Sequence, residues 1–297
     1  MVGQYAGMVN IVTACQIEME TLTKNLADSN TDSIIETIDD RLNMLITFHS
    51  LKMTDGFSLT QDETAYLLKE NKTVEAKSFF EQLKVFNHNR ILQHCRQYQQ
   101  ALKDAGWNLS LPYKDPPDEY VLAGLSKLAD TFVLMFSEGL SGHFDMMYGN
   151  VHPAGTFYFF DRFEEQNHIK KGSELLAKTL KQGTYDPFLN AAIIHNEFAK
   201  GHQVDNKFGL LFCRLHMNFA LMLTGYSPAI IDSSQKDEYL KIVQKDKLDD
   251  PKPLAKFLVK NLKETYQKYI LPELEAEANK KNIPIPFELG HSINVKH

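Results

Sequence analysis

The chain of 297 residues is long enough to bury a sizeable core, in one large domain or two modest ones. Its composition, 43% hydrophobic and 24% charged, is that of a globular protein and excludes the disordered and fibrous classes. The net charge of -6 argues against a general surface for nucleic acid or anionic membranes and leaves room only for a local basic pocket.

The cysteines and the N-terminus predict a cytoplasmic protein. Cys15, Cys95 and Cys213 are few, odd in number and far apart, which favours a reducing compartment over a disulfide framework. The N-terminus lacks the basic region of a secretory signal, and no apolar stretch approaches the about 20 residues that span a bilayer. A secreted bacterial effector without a visible signal is the alternative that the sequence leaves open.

Apolar residues at three- and four-residue spacing predict a mostly α fold. The predicted helices cover residues 10–28, 32–52, 60–70, 73–105, 117–140, 167–182, 186–201, 208–224, 234–247 and 251–281. Ser58 or Thr60 is expected to cap the third helix, and Pro187 behind Asp186 to open the seventh.

Three segments break the helical pattern. Residues 105–119 contain three prolines and predict a loop, and the tail after Asn282 is expected to be extended. Between Ser141 and Phe160, two β-prone runs flank NVHPAG, which predicts a hairpin or an extended flap.

The histidines do not predict a metal site. His195 and His202 lie seven residues apart in the sequence, and about 10.5 Å along a helix is too far for one ion to bridge. None of the common nucleotide, zinc or hydrolase signatures occurs.

His202 begins a polar stretch, HQVDNK, between a helix that ends near Gly201 and one that begins near Phe208 or Gly209. Unpaired amides at the start of the second helix favour an anion such as phosphate. A neutral histidine there could deprotonate a hydroxyl that attacks the phosphate. The alternative is a partly buried histidine at a helix end with no chemical role.

The region around His202 resembles the signature of the Fic (Fido) family, HxEFxxIHPFxDGNGRxGRLLMN followed by LLxxGYPPxII. HNEFAKGH matches its beginning at residues 195–202, and RLHMNFALMLTGYSPAII matches its end at residues 214–231, with KDEYLKIV continuing it. Upstream, RLNMLITFHSLKMTDGFSLTQDETAYLL and FEQLKVFNHNRIL are similar to RLxxxFxxHSNAIEGNTLTLEETxxLL and xEHLEVxNHxxAL of the family. The resemblance implies a helical bundle with a small β-hairpin flap.

Most characterised members of this family transfer AMP from ATP to a hydroxyl of a target protein, and some move other phosphate-containing groups. ATP and Mg²⁺ are therefore the implied cofactors. The implied partner is a protein with a Ser, Thr or Tyr hydroxyl, with no nucleic acid and no membrane, and a homodimer is left open. The matching positions hold His202 for the catalytic base, Asp205 or Asn206 for the metal contact, and Lys207, Gly209 and Arg214 for the phosphates.

The centre of the motif departs from the family pattern. PFxDGNGR is replaced by QVDNKFGLL, which is one residue longer, keeps only Gly209 of the glycines and has no arginine after it. Lys207 offers a point charge in place of a bidentate clamp. Two functions stay open: group transfer to a hydroxyl, and a catalytically silent Fic-like module that binds a partner or nucleotide in a regulatory role.

An N-terminal segment resembles the family's inhibitory helix, [ST]xxxE[GN], whose glutamate pairs with the second motif arginine and blocks productive ATP binding. Here Ser50 begins SLKMTDG, Thr54 stands at the glutamate position, and Asp55 follows. The resemblance implies a regulatory role for Ser50 and Asp55, with Asp55 reaching Arg214. It also implies an N-terminal helical region over residues 1–110, a Fic-like core over 111–250, and a C-terminal helix and tail over 251–297.

Overall fold

The computed structural model describes residues 2–26, 31–54, 56–104, 186–201, 209–283 and 285. Every regular element within these ranges is helical, which confirms the predicted α class. The α-helices are α1 (Val2–Asn25), α2 (Thr31–Lys52), α3 (Gln61–Glu70), α4 (Phe79–Asp104), α5 (Pro187–Gly201), α6 (Gly209–Leu223), α7 (Lys236–Ile242), α8 (Lys252–Thr265) and α9 (Leu271–Lys280). Short 3-10 helices at Ser233–Gln235 and Lys245–Lys247 flank α7, and a π-helical stretch, Tyr266–Ile270, joins α8 to α9. The predicted flap at residues 141–160 and the predicted helices at 117–140 and 167–182 lie outside the described residues.

Helix α6 is the centre of the fold. All 15 of its residues are buried, because it is largely apolar and is surrounded by other helices. It packs along α5 and against α4, while α8 covers α5 and α1, and α2 packs against α4. A polar side chain on α6 is therefore placed in the interior of the protein. None of the helices among the described residues is both long and apolar enough to cross a membrane.

Two of the predicted helix starts follow from their capping residues. Thr60, not Ser58, caps α3: its hydroxyl accepts from the Glu63 amide while the Glu63 carboxylate accepts from the Thr60 amide. At α5, Asp186 accepts from the amides of Phe188 and Leu189 at 3.0 Å, just ahead of Pro187.

Other helix boundaries were predicted wrongly. Helix α1 begins at Val2 and not at residue 10, because Tyr5 and Met8 continue its core-facing side and Tyr5 bonds to Asp186. Helix α4 begins at Phe79 and not at residue 73. Residues 71–78 form a loop, which the Gln82 side chain closes through bonds to both main-chain polar groups of Val74.

The C-terminal helices are also more broken than their periodicity predicts. The run expected at residues 234–247 is α7 with a 3-10 turn at each end. In the run expected at 251–281, the π-helical stretch places the Tyr266 hydroxyl against the Ser227 amide at 3.0 Å. This bond ties α8 to the loop that follows α6.

Candidate functional site

The ends of α5 and α6 frame the segment that the sequence singles out. Helix α5 ends at Gly201 and α6 begins at Gly209, as the pattern around HQVDNK predicts. Between them, His202, Asp205, Asn206 and Lys207 lie outside the described residues, as does Asp55, so the roles assigned to these five residues stay predictions. Gly209, Arg214 and Ser50 lie within the described residues.

Arg214 lies in the middle of α6 and is 2% exposed. Its Nη2 donates to the main-chain oxygen of Ser50 at 2.8 Å. Ser50 is in the last turn of α2, where carbonyl groups lack a donor from the same helix and where the helix dipole is negative. The guanidinium of Arg214 therefore caps the C-terminal end of α2.

A second contact of Arg214 is the face of Tyr239, on α7. The Arg214 Cζ atom lies 5.3 Å from the centroid of the Tyr239 ring, within the range of a cation–π interaction. Tyr239 is fully buried, and burial raises the pKa of its hydroxyl despite the opposing charge of Arg214, so the phenol stays protonated.

The contacts of Arg214 leave its charge without a counterion in the described part of the chain. No carboxylate there forms an ion pair with it, and its buried Nε has no hydrogen-bond partner. A buried cation held only by a carbonyl and a ring is under-compensated, because neither carries a full negative charge. Such a group is receptive to an anion.

Two neutral histidines, His88 on α4 and His195 on α5, lie close enough to Arg214 to be affected by its charge. Burial, together with that charge, lowers the pKa of His88 to about 3. Burial lowers the pKa of His195 to about 3 as well, against the opposing effect of its bond to Asn196. His88 Nδ1 lies 2.9 Å from the Thr47 hydroxyl, and its Nε2 has no hydrogen-bond partner among the described residues. Neither ring adds positive charge near neutral pH.

The end of α2 is fixed on its other side by His49. The Ser233 amide donates to His49 Nδ1 at 3.1 Å, and His49 Nε2 lies 3.6 Å from an Asp232 carboxylate oxygen. Burial lowers the pKa of His49, and Asp232 opposes that shift. Thr54, at the family's glutamate position, donates its hydroxyl to the Leu51 carbonyl at 2.6 Å, within its own turn.

The sequence reasoning missed three of these neighbours. The spacing of His195 suggests only a metal ligand, and His88 and Tyr239 lie within the segments similar to the Fic family but match no residue of assigned role. Their positions in those segments were the available signal. In the part of the chain described here, no group of three or more His, Cys, Asp or Glu residues could hold a metal ion.

Comparison with known proteins identifies the fold. No protein-family model and no curated protein matches the sequence. Among solved structures, a Fic domain-containing signaling protein from Bacteroides thetaiotaomicron is 15% identical with a TM-score of 0.60, and the match covers 88% of this chain and 98% of that one. Fic-1 from C. elegans is 19% identical with a TM-score of 0.61, over 89% of this chain and 71% of that one. A Fic family protein from Desulfovibrio desulfuricans is 12% identical with a TM-score of 0.52, over 90% of this chain and 75% of that one. The chain has the fold of Fic domain proteins.

Proposed function

We propose that this protein binds the phosphates of a nucleotide at Arg214 and transfers a phosphate-bearing group, AMP in the first instance, to a hydroxyl side chain of a target protein. The observation that carries the proposal is the state of Arg214. It is a buried guanidinium with an unpaired N–H and no carboxylate partner in the described residues. A phosphate oxygen would satisfy that N–H and compensate the charge.

The remaining roles in this reaction rest on the resemblance to the Fic family. His202 would take the proton of the target hydroxyl as its oxygen attacks the α-phosphorus. The new P–O bond forms as the bond to the β-phosphate oxygen breaks, and pyrophosphate leaves. Lys207 and the Gly209 amide would contact phosphate oxygens. Asp205 or Asn206 would hold Mg²⁺, which offsets phosphate charge when bound.

The second candidate is a regulatory Fic-like module that performs no chemistry. The burial of Arg214 favours it, because Tyr239 covers one face of the guanidinium and the Ser50 carbonyl takes one of its N–H groups. A nucleotide would have to share or displace these contacts. A module that uses Arg214 to hold α2 and binds a partner elsewhere needs no such displacement.

Labelled nucleoside triphosphates separate the two functions. The full chain is incubated with each of the four labelled ribonucleoside triphosphates, Mg²⁺ and a cell lysate, beside His202→Ala and Arg214→Met. His94→Ala is the matched control, because His94 is an exposed histidine of α4. We expect label on a lysate protein with the wild type and His94→Ala, and none with the other two variants.

The outcomes of this assay assign the function. Absence of label from every donor with the wild type rejects group transfer. Calorimetric titration with the same nucleotides then decides between a nucleotide-binding module, whose affinity falls in Arg214→Met, and a module that binds only protein. Transfer that persists in His202→Ala would reject this histidine as the base.

A further inference from the structure

A chain of buried hydrogen bonds leads from α5 to the ring beneath Arg214. Asn196 Nδ2 donates to the Leu248 carbonyl at 2.9 Å, and Asn196 Oδ1 lies 3.2 Å from His195 Nδ1. His195 Nε2 in turn lies 2.6 Å from the Tyr239 hydroxyl. The three side chains are buried, so each bond forms in a region where a missing partner is costly.

The direction of these bonds follows from the first of them. Because the Asn196 amide nitrogen faces the Leu248 carbonyl, its oxygen faces His195 and accepts from Nδ1–H. The ring is neutral, so its Nε2 carries no hydrogen and accepts from the Tyr239 hydroxyl. The Tyr239 hydroxyl therefore donates to His195, which anchors the far end of the Tyr239 ring.

The fixed Tyr239 ring determines where a cation above it can lie. An arginine side chain has several rotatable bonds, and contacts must overcome its rotamer entropy to hold one orientation. Among the described residues, Arg214 has two such contacts, the Tyr239 face and the Ser50 carbonyl, and they lie on different helices. Either contact alone would leave the guanidinium free to rotate, whereas the two together hold one orientation.

We propose that Tyr239, held by His195, is a positioning residue that orients the Arg214 guanidinium toward the C-terminal end of α2. In this arrangement the side chains of His195, Tyr239 and Arg214 link α5, α7 and α6 in series, and the last link ends on the main-chain oxygen of Ser50 in α2. Movement of Tyr239 releases Arg214 from Ser50 and loosens the last turn of α2. The same orientation sets which N–H groups of Arg214 face a phosphate, a consequence that rests on the proposed function.

Hydrogen exchange at the end of α2 tests this series without any substrate. The Met53 amide donates to His49 and the Thr54 amide to Leu51, so both report opening of that turn. Loss of the ring contact in Tyr239→Leu should raise their exchange rates about 5- to 30-fold, the range expected for a cation–π contact that is partly to fully desolvated. Tyr239→Phe keeps the ring and loses its anchor, and it should give a smaller rise with the fold retained.

The matched control is Tyr266→Phe, which removes the hydroxyl of another fully buried tyrosine bonded to Gln16 and Ser227. It should leave the exchange of Met53 and Thr54 unchanged. The decisive comparison is a double-mutant cycle with Arg214→Met. If Tyr239 acts through Arg214, then Tyr239→Leu adds no further exchange at these amides once Arg214 has been replaced.

Three outcomes would overturn the inference. They are unchanged exchange in both Tyr239 variants, an equal rise in the control, and an undiminished effect of Tyr239→Leu in the Arg214→Met background.

Nucleotide titration is the second readout. Tyr239→Phe should weaken the binding of a triphosphate and leave the binding of a nucleoside unchanged, because Arg214 would contact only the phosphates. A wild type that binds no nucleotide refutes the proposed function, while the exchange cycle still decides the role of Tyr239.

Discussion

Replacement of Arg214 by methionine should leave the stability of this protein nearly unchanged, although the residue is buried. The charged hydrogen bond to Ser50 contributes about 1.5–3 kcal/mol and the cation–π contact with Tyr239 about 2 kcal/mol. Against these stands the desolvation of the guanidinium, several kcal/mol for an ion without a counterion. The favourable and unfavourable contributions of the arginine therefore nearly cancel.

The methionine side chain changes this balance little. It has a similar length and regains about 1.5–3 kcal/mol from burial of apolar surface, while the Ser50 carbonyl loses its donor at a cost of about 1–3 kcal/mol. We expect the free energy of unfolding of Arg214→Met, measured in urea, to lie within about 2 kcal/mol of the wild-type value. Arg214→Ala, which also leaves a cavity, should lose more.

One possible result of urea unfolding would contradict the expected cancellation of these energies. A loss of more than about 4 kcal/mol in Arg214→Met would mean that the wild-type charge is paired in the protein, since breaking a paired buried ion has that cost. The under-compensated guanidinium would then no longer support an anion site. Near-equal stability together with loss of nucleotide binding would instead identify Arg214 as a residue kept for binding at no gain in stability.

Three further predictions concern the rest of the structure. Thr60→Ala removes the cap of α3 and should lower the free energy of unfolding by about 1 kcal/mol, whereas the exposed Thr73→Ala should change it by less than about 0.5 kcal/mol; equal effects would contradict the capping box. His88 has a folded-state pKa of about 3, below its unfolded value, so its contribution to stability is complete above about pH 6.5 and falls steadily below it. His88→Gln should therefore reduce the loss of stability between pH 7 and pH 5 by about 2 kcal/mol, and an unchanged pH dependence in urea unfolding would count against the neutral histidine. The three buried cysteines should resist a thiol reagent in the native protein and react together on unfolding. If any of the three reacts in the native protein as fast as an exposed free thiol, the structure opens locally around it.

The parts of the fold that the sequence predicts correctly are those set by neighbouring residues. Thr60 and Asp186 cap helices through amides two or three residues away, so the pattern that identifies them is local. The start of α4 was missed because Gln82 closes the preceding loop with its own side chain. No periodicity distinguishes that glutamine from one on a solvated helix face.

In the candidate site too, some features follow from the local sequence and others depend on contacts between distant residues. The phosphate-binding role of Arg214 follows from the resemblance to the family motif and stays a prediction, whereas its burial follows from the apolar helix around it. A contact of Arg214 with the Asp55 side chain stays a prediction, because Asp55 lies outside the described residues, and the described contact is the main-chain oxygen of Ser50. A carbonyl belongs to every residue type, so no sequence pattern indicates which one an arginine will reach. Tyr239 was missed because its role depends on a contact between α6 and α7.

The bond between Arg214 and Ser50 has a genetic consequence, because its acceptor is a main-chain atom. Substitution of Ser50 by alanine or cysteine leaves the acceptor where it is, so point mutations at that codon should be silent for this contact. The acceptor moves only when the last turn of α2 gains, loses or rearranges a residue, as an insertion or deletion near Met53 would do. Selection on this contact therefore acts on the length of a helix and on one arginine codon.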